Sequence, residues 1–509
     1  VNRRTLLALA GGASVAVVAG CGGPNEGGTG TMLESRLPLP DAFKVPLLIP
    51  PVAKSVRRDD TTDYYEITQR AAKVEIIPGT KTTIWGYDGI FPGPTFMGKA
   101  GRRMVVKVKN ELPVPTSTHL HGGVTPAGSD GFPTDLVAPK GYNVHAAHTG
   151  HGGMAMNMAD WKFHDQAKDY EYPMVQRAAT LWYHDHRMDF SAPQVWRGLA
   201  GAFLVTDAEE SALPLPRKER DIPLIIGDRS FEADGEFRYP SLDSTLTKPG
   251  VTDEWMSGVF GDVILVNGRP WPFLEVEAVR YRFRLVNGSN ARRYTLTLGG
   301  GLKFTQVGGD GGLLPVPVEH GEITIAPGER YDVVVDFSAV KPGSSVVLAN
   351  TLGEGRTRDV MKFVVTRAGQ DDSRIPAVLS QVPKLTREQA VATRQFDFRL
   401  LGGKWTINGK PYDTSASLAS PKLGTVELWR FTSDFHHPVH MHLAHFQVLS
   451  RGGRGPGPLD GGWKDTVDVR PYEVVEVLAK FDGFQGRYML HCHNLEHEDM
   501  AMMANFDVV

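Results

Sequence analysis

Cysteine is nearly missing from this 509-residue chain: there are two, Cys21 and Cys492. A disulfide framework is therefore excluded, and one bridge would have to join opposite ends of the sequence. A dominant charge is missing as well. With 55 Lys+Arg against 58 Asp+Glu, the formal net charge of −3 gives no overall pull toward nucleic acid or an anionic membrane. Long apolar runs are scarce. The run at residues 6–19 falls short of the roughly 20 residues that span a bilayer. Sustained helical periodicity is rare too. What is abundant is Gly (56) and Pro (35) between short valine-rich alternating runs, which favours a turn-rich β protein over a helical bundle.

The first 21 residues differ from the rest. Arg3 and Arg4 precede the apolar run, and "VAGC" closes it at 18–21. Residues 1–21 read as an export signal resembling the twin-arginine type, ending in a lipobox-like motif. A lipid anchor at Cys21 is expected, on a cell-surface or secreted protein; the alternative is an ordinary signal with an incidental cysteine. If Cys21 carries lipid, Cys492 is the remaining thiol and needs another role.

Residues 22–61 ("LPLPDAFKVPLLIPP" among them) read as an extended linker. From residue 62 the pattern is short strands, such as "RRMVVKVKN", "RYRFRLVNGSN" and "RYDVVVDFS". Polar, proline-containing breaks at 208–219 and 367–391 divide the chain into 62–207, 220–366 and 392–509. Each piece is near the size of one β-sandwich domain.

The 17 histidines are not scattered. Four His-x-His pairs occur: His119/His121, His184/His186, His440/His442 and His491/His493. Random placement would give on the order of one such pair. On a strand, residues i and i+2 point to one side, so each pair aims two imidazoles at one region. Two pairs come from the piece 62–207 and two from the piece 392–509. The simplest arrangement is one shared metal site between the first and third domains.

His437, Cys492, His497 and Met502 form a different, softer set. Two imidazoles, a thiolate and a weak thioether suit a blue-copper electron-transfer centre, whereas structural zinc takes four strong ligands. Met500 and Met503 lie close in sequence, so the choice of Met502 rests on spacing. Strand alternation then separates the sites: if His491 and His493 face one way, Cys492 faces the other. Three consecutive residues would connect a mononuclear copper to an imidazole-lined cluster.

These motifs, in this order, resemble the multicopper oxidase family. "GIFPGPT" (89–95), "HLHGG" (119–123), "WYHDH" (182–186), "HPVHMH" (437–442) and "HCHNLEHEDMAMM" (491–503) carry the resemblance, which covers the chain from about residue 62. The closer resemblance is to the bacterial three-domain laccase type: the spore-coat laccase, bilirubin oxidase and phenoxazinone synthase group. The resemblance implies three consecutive cupredoxin-like Greek-key β-sandwich domains and four copper ions. By motif position, the type 1 copper takes His437, Cys492 and His497 with Met502 axial. The type 2 copper takes His119 and His440. The type 3 pair takes His121, His184, His186, His442, His491 and His493. Asp130 and Glu498 match positions that supply protons near the cluster. The implied reaction couples four one-electron oxidations of phenols or aromatic amines to reduction of O2 to water. An axial Met implies a low-to-moderate type 1 potential. Fungal relatives space the last histidine after "HPVHMH" differently, so His445 is expected to be structural. His436 stands either at the substrate mouth or on the surface, and His320 carries no signal.

Residues 145–165 hold His145, His148, His151, His164, Met154, Met156 and Met158, a soft-ligand set suited to Cu(I). Either the segment handles copper or it is a Gly-rich loop with incidental residues. A metallo-oxidase acting on Cu(I) or Fe(II) is the enzymatic alternative. A non-catalytic electron carrier would leave the eight paired histidines without a role. The Cys492→Ser protein is expected to lose both the intense blue absorption and donor oxidation; surviving activity contradicts this reading.

Overall fold

A computed structural model describes residues 29–143 and 161–509. Residues 1–28, with Cys21 and the export signal, lie outside that range, as do His145, His148, His151, Met154, Met156 and Met158. About 49% of the chain is strand and 8% helix. The strands form three consecutive cupredoxin-like sandwiches.

The three share one internal plan. In each, the opening strand pairs in parallel with a later one in the same sheet: Thr62–Val74 with Arg103–Asn110, Asp221–Phe231 with Arg280–Asn287, Ala390–Leu401 with Val426–Ser433. In the facing sheet, an early strand pairs in parallel with the closing one: Gly93–Lys99 with Ala200–Thr206, Phe273–Ala278 with Asp359–Ala368, Ser417–Ala419 with Met503–Val508. Parallel neighbours cannot be joined by a tight hairpin, so each chain segment must cross between sheets, as a Greek key does.

Period-two patterning packs the cores. In Arg103–Asn110 the side chains of Met104, Val106 and Val108 are buried and the alternate residues reach outward. The three main apolar clusters centre on Ile67, Phe96 and Phe203, on Phe283, Val333 and Phe363, and on Phe398, Trp429 and Phe446. The segment before the first sandwich is extended and packed. Thr31–Leu33 pairs with Val259–Gly261, Ser35 donates to Asp262, and Leu37 enters the middle core.

The histidine strands are among the most buried. Thr118–His121 pairs antiparallel with Ala179–Asp185, setting His184 opposite His119. His437–Met441 pairs with Gly486–Cys492, setting His440 opposite His491. The first and third sandwiches therefore present imidazole-bearing strands to each other, and the middle one closes the gap between them.

Glycine makes the closeness possible at two points. Gly122 has φ +85° and a Cβ there would stand 2.5 Å from Arg330 Nη2 and 2.8 Å from Asp465 Oδ2. Gly328 of the middle sandwich, at φ +85°, would bring a Cβ to 2.9 Å from His121 Cε1. Gly79 has a similar φ of +81° but open space around it. Gly79→Ala is expected to cost only the backbone strain of about 1–2 kcal/mol, whereas Gly122→Ala should add about 1–3 kcal/mol of overpacking. Thermal melts of the two variants check this, and equal midpoints would show that the close approach at Gly122 does not matter.

Candidate metal centre

The eight paired histidines converge in one buried region, and all eight side chains are at most 1% exposed. His186, His442 and His491 form a compact trio, with Nε2 of His491 lying 3.4 Å from Nε2 of His186 and 3.2 Å from Nε2 of His442. His119 and His440 face each other through their Nε2 atoms at 3.4 Å. His121, His184 and His493 make a looser set, with ring centroids 4.9 Å apart for His121–His493, 5.3 Å for His184–His493 and 5.8 Å for His121–His184.

Each ring of this region except His186 and His493 has one nitrogen tied to a protein oxygen. Nδ1 donates to Asp130 O from His119 (2.5 Å), to Asp185 O from His184 (2.9 Å) and to Asp465 O from His440 (3.0 Å). It meets Asp130 Oδ2 from His442 (2.7 Å) and Cys492 O from His491 (3.1 Å). His121 is turned the other way, with Nε2 meeting Asp465 Oδ1 at 3.1 Å. These bonds fix the tautomer and leave the inward nitrogen as a lone-pair donor.

Burial makes the same choice. It pulls His119, His121, His442 and His493 well below the ordinary imidazole value, His184 to about 3 and His186 to about 4, with neighbouring imidazoles adding to the effect. These six rings favour the neutral form, as metal ligation requires. Nδ1 of His121, Nε2 of His184 and both nitrogens of His493 are buried without a hydrogen-bond partner among the described residues. Leaving such atoms unsatisfied is costly, and a cation fits the chemistry of this donor set.

Beyond the turn of the same strand lies the second cluster. His437 Nδ1, His497 Nδ1 and Cys492 Sγ form a nearly equilateral triangle with edges of 3.2, 3.3 and 3.5 Å. Its centre is about 2 Å from every corner, which is metal–ligand range. His437 Nε2 meets Asp434 at 3.3 Å and His497 Nε2 donates to Ser257 O at 3.2 Å, so both Nδ1 lone pairs face the sulfur. Trp405 stacks on His497 with ring centroids 3.7 Å apart. Burial pushes the Cys492 thiol well up, so a bound metal must displace its proton. The Cys492 amide donates to Met502 O at 3.1 Å, and Met500 and Met502 share the apolar cluster of Cys492. Met503 instead packs with Met188 and Met489.

The two carboxylates flank the eight-histidine region in opposite states. Burial raises Asp130 to about 8 although Lys168 works against it. For Glu498 burial also works against charge, but His186 and His491 outweigh it and hold the carboxyl low. Glu498 Oε1 accepts from Ser191 Oγ at 2.5 Å, and Oε2 stands 3.1 Å from His491 Nδ1. The remaining described histidines lie outside the clusters. His445 meets Gly122 O at 3.1 Å, His436 meets Asp468 at 3.2 Å, His320 meets Gln306 at 2.9 Å and His164 meets Asp135 at 2.7 Å. Asp465, Arg330, Asp434 and Trp405 belong to the site and carry no portable motif.

Comparison with known proteins settles the family. Multicopper oxidase profiles match residues 68–146 and 141–210, 240–368, and 379–509. The chain belongs to the multicopper oxidase family. It is 35% identical to a laccase of Bacillus subtilis (strain 168) over 526 residues, covering 92% of this chain and 98% of that one. It is 36% identical to a bilirubin oxidase of Albifimbria verrucaria over 502 residues, covering 91% and 81%. Among solved structures, a laccase of Pediococcus acidilactici Pa5930 aligns with a TM-score of 0.81 at 30% identity, covering 94% of this chain and 95% of that one. As a multicopper oxidase this chain is a copper-dependent oxidoreductase that uses O2 and an electron donor, and its imidazole and thiolate clusters fit copper ions.

Proposed function

We propose that this multicopper oxidase is a laccase-type enzyme that oxidises phenols or aromatic amines one electron at a time. The observation that carries the reading is Cys492: its Sγ belongs to the His437–His497 triangle while His491 and His493, its two chain neighbours, belong to the buried imidazole region. A handful of covalent bonds thus link the two clusters. We infer that His437, Cys492 and His497 would hold a type 1 copper, with Met502 as a further, thioether ligand. A type 2 copper falls to His119 and His440. The type 3 pair divides between His186, His442, His491 and His121, His184, His493, a partition motivated by the distances above. Bound there, copper ions would carry four electrons, one from each donor oxidation, to O2, which with four protons gives two waters.

The chain's own residues do the rest. Carbonyl and carboxylate acceptors hold six of the eight imidazoles with the chosen nitrogen inward. The protonated carboxyl at Asp130, 2.7 Å from His442, is placed to supply a proton beside the cluster. Glu498, charged and linked to Ser191 Oγ, is placed to relay one beside His491. At the donor end, Phe435 is 37% exposed and its ring lies 6.4 Å from that of His437; Tyr472, 86% exposed, donates its amide to Ser433 O near by. This aromatic rim suits a planar aromatic donor. The named activities of the laccase and bilirubin oxidase relatives support the same class.

Oxygen uptake by copper-loaded protein tests the proposal with 2,6-dimethoxyphenol, o-aminophenol, bilirubin, Cu(I) and Fe(II) as donors. The expected outcome is turnover of the phenol or aminophenol at least about tenfold above the metal ions, equivalent to ~1.4 kcal/mol in the barrier. Preference for Cu(I) or Fe(II) would replace this reading with the metallo-oxidase one. No O2 uptake with any donor would overturn both.

A further inference from the structure

The middle sandwich contributes none of the clustered imidazoles, yet one of its side chains reaches the cluster. Arg330 stands at the start of the strand Arg330–Asp336 and is fully buried. A guanidinium has five N–H donors, and here every one has an acceptor. Nε donates to Thr180 O of the first sandwich at 3.0 Å. Nη1 donates to Gly328 O at 2.9 Å and Nη2 to Asp310 O at 3.1 Å, both in the middle sandwich. The remaining two go to the Asp465 carboxylate of the third sandwich, Nη1 to Oδ1 at 2.6 Å and Nη2 to Oδ2 at 2.5 Å. One side chain thus ties three domains together, and its bidentate pair fixes the plane of the Asp465 carboxylate.

Asp465 in turn addresses two imidazoles. Its Oδ1 meets His121 Nε2 at 3.1 Å, while its backbone carbonyl accepts from His440 Nδ1 at 3.0 Å. Thr466 Oγ1 bridges the two rings, lying 3.0 Å from His121 Nε2, 3.1 Å from His440 Nδ1 and 2.8 Å from Asp465 Oδ1. The two rings stack at 3.6 Å with 10° between their planes. His121 is the ring whose orientation is reversed relative to its neighbours, with Nδ1 inward. The Asp465 carboxylate at Nε2, with Thr466 Oγ1 beside it, favours that tautomer.

The ion pair is itself anchored. Asp310 accepts the Arg330 amide at 2.7 Å and pairs with Lys464 at 3.1 Å, and Lys464 also pairs with Glu329 at 3.1 Å. These five charged side chains are all buried. A hydrophobic replacement of similar volume would often hold domains together as well or better. A network this demanding therefore points to a requirement for geometry rather than for adhesion.

We propose that Arg330 is a positioning residue for the trinuclear copper set: by clamping Asp465 it fixes which nitrogens of His121 and His440 face the metals. The proposal rests on the type 2 and type 3 assignment given above. It makes the middle sandwich a determinant of the O2-reducing end and not of the donor end.

The test uses the full copper-loaded chain. Arg330→Lys keeps a charge but cannot make the bidentate pair or serve five acceptors. Asp465→Asn keeps the shape but can present an amide N–H to His121 and reverse its tautomer. Arg282→Lys is the control; it loosens an equally buried ion pair to Glu210 and Asp332 in the same sheet as Arg330. For each variant three quantities are read: the blue absorption and its anaerobic bleaching by a phenol, the near-ultraviolet band and EPR signature of the trinuclear set, and steady-state O2 uptake. Arg330→Lys and Asp465→Asn are expected to keep the blue band and its bleaching rate within about twofold. They should show altered trinuclear spectra and lose about 10–100-fold in O2 uptake. Arg282→Lys should lower thermal stability without the spectral change. Unchanged trinuclear spectra in Asp465→Asn would overturn the proposal, and this variant decides if Arg330→Lys does not fold. Loss of the blue band together with O2 uptake would also overturn it, since the role would then be general stability. A wild-type protein lacking the blue band would refute the copper assignment instead.

Discussion

The architecture depends on keeping eight imidazoles dry and correctly turned in one place. Water would satisfy their nitrogens and protonate some of them, and burial prevents both. Burial alone would leave the rings free to choose tautomers. For six of the eight rings the protein settles that choice with oxygens from the backbone and from two aspartates, Asp130 and Asp465. Much of the sandwich packing serves this end. The strands Thr118–His121 and His437–Met441 are short and fully buried because they carry ligand pairs, not because they are long enough to stabilise a sheet.

Strand alternation turns that enclosure into a circuit. His491 and Cys492 are adjacent, yet one ring reaches His186 and His442 while the thiol reaches His437 and His497. The chain then closes the thiolate site with the helix Leu495–Asp499, which supplies His497 for that site and Glu498 for the other. Two clusters with different chemistry therefore share one stretch of backbone. A change in the position of either is felt by the other within a few bonds.

Much of this was legible in the amino-acid order because i, i+2 spacing on a strand is a local property. The four His-x-His pairs, the lone thiol and the all-β pattern of "RRMVVKVKN" report geometry that needs no tertiary contact to infer. What was not legible depends on partners far apart in sequence. "RYDVVVDFS" reads as a strand and nothing more, and that Arg330 reaches Asp465 and Thr180 follows only from how three sandwiches pack. The same holds for Trp405 over His497 and for Ser257 accepting from its Nε2. Among the three nearby methionines, spacing favoured Met502, and packing places Met503 with Met188 and Met489 instead. The repeat of two parallel ladders in each sandwich was also hidden, because pairing between strands far apart in the chain leaves no local pattern.

The central claim is that this chain builds a thiolate copper site and a separate cluster in which two coppers are held as a pair. Quantitative EPR set against total copper by mass spectrometry, on fully loaded and oxidised protein, tests it most directly. The account predicts that about half of the bound copper is EPR-silent, because paired Cu(II) ions cancel each other's spin. The visible half should divide equally between a thiolate-type signal with small copper hyperfine splitting and an ordinary nitrogen-ligated one. Copper that is wholly EPR-visible, or a single copper per chain, would contradict it.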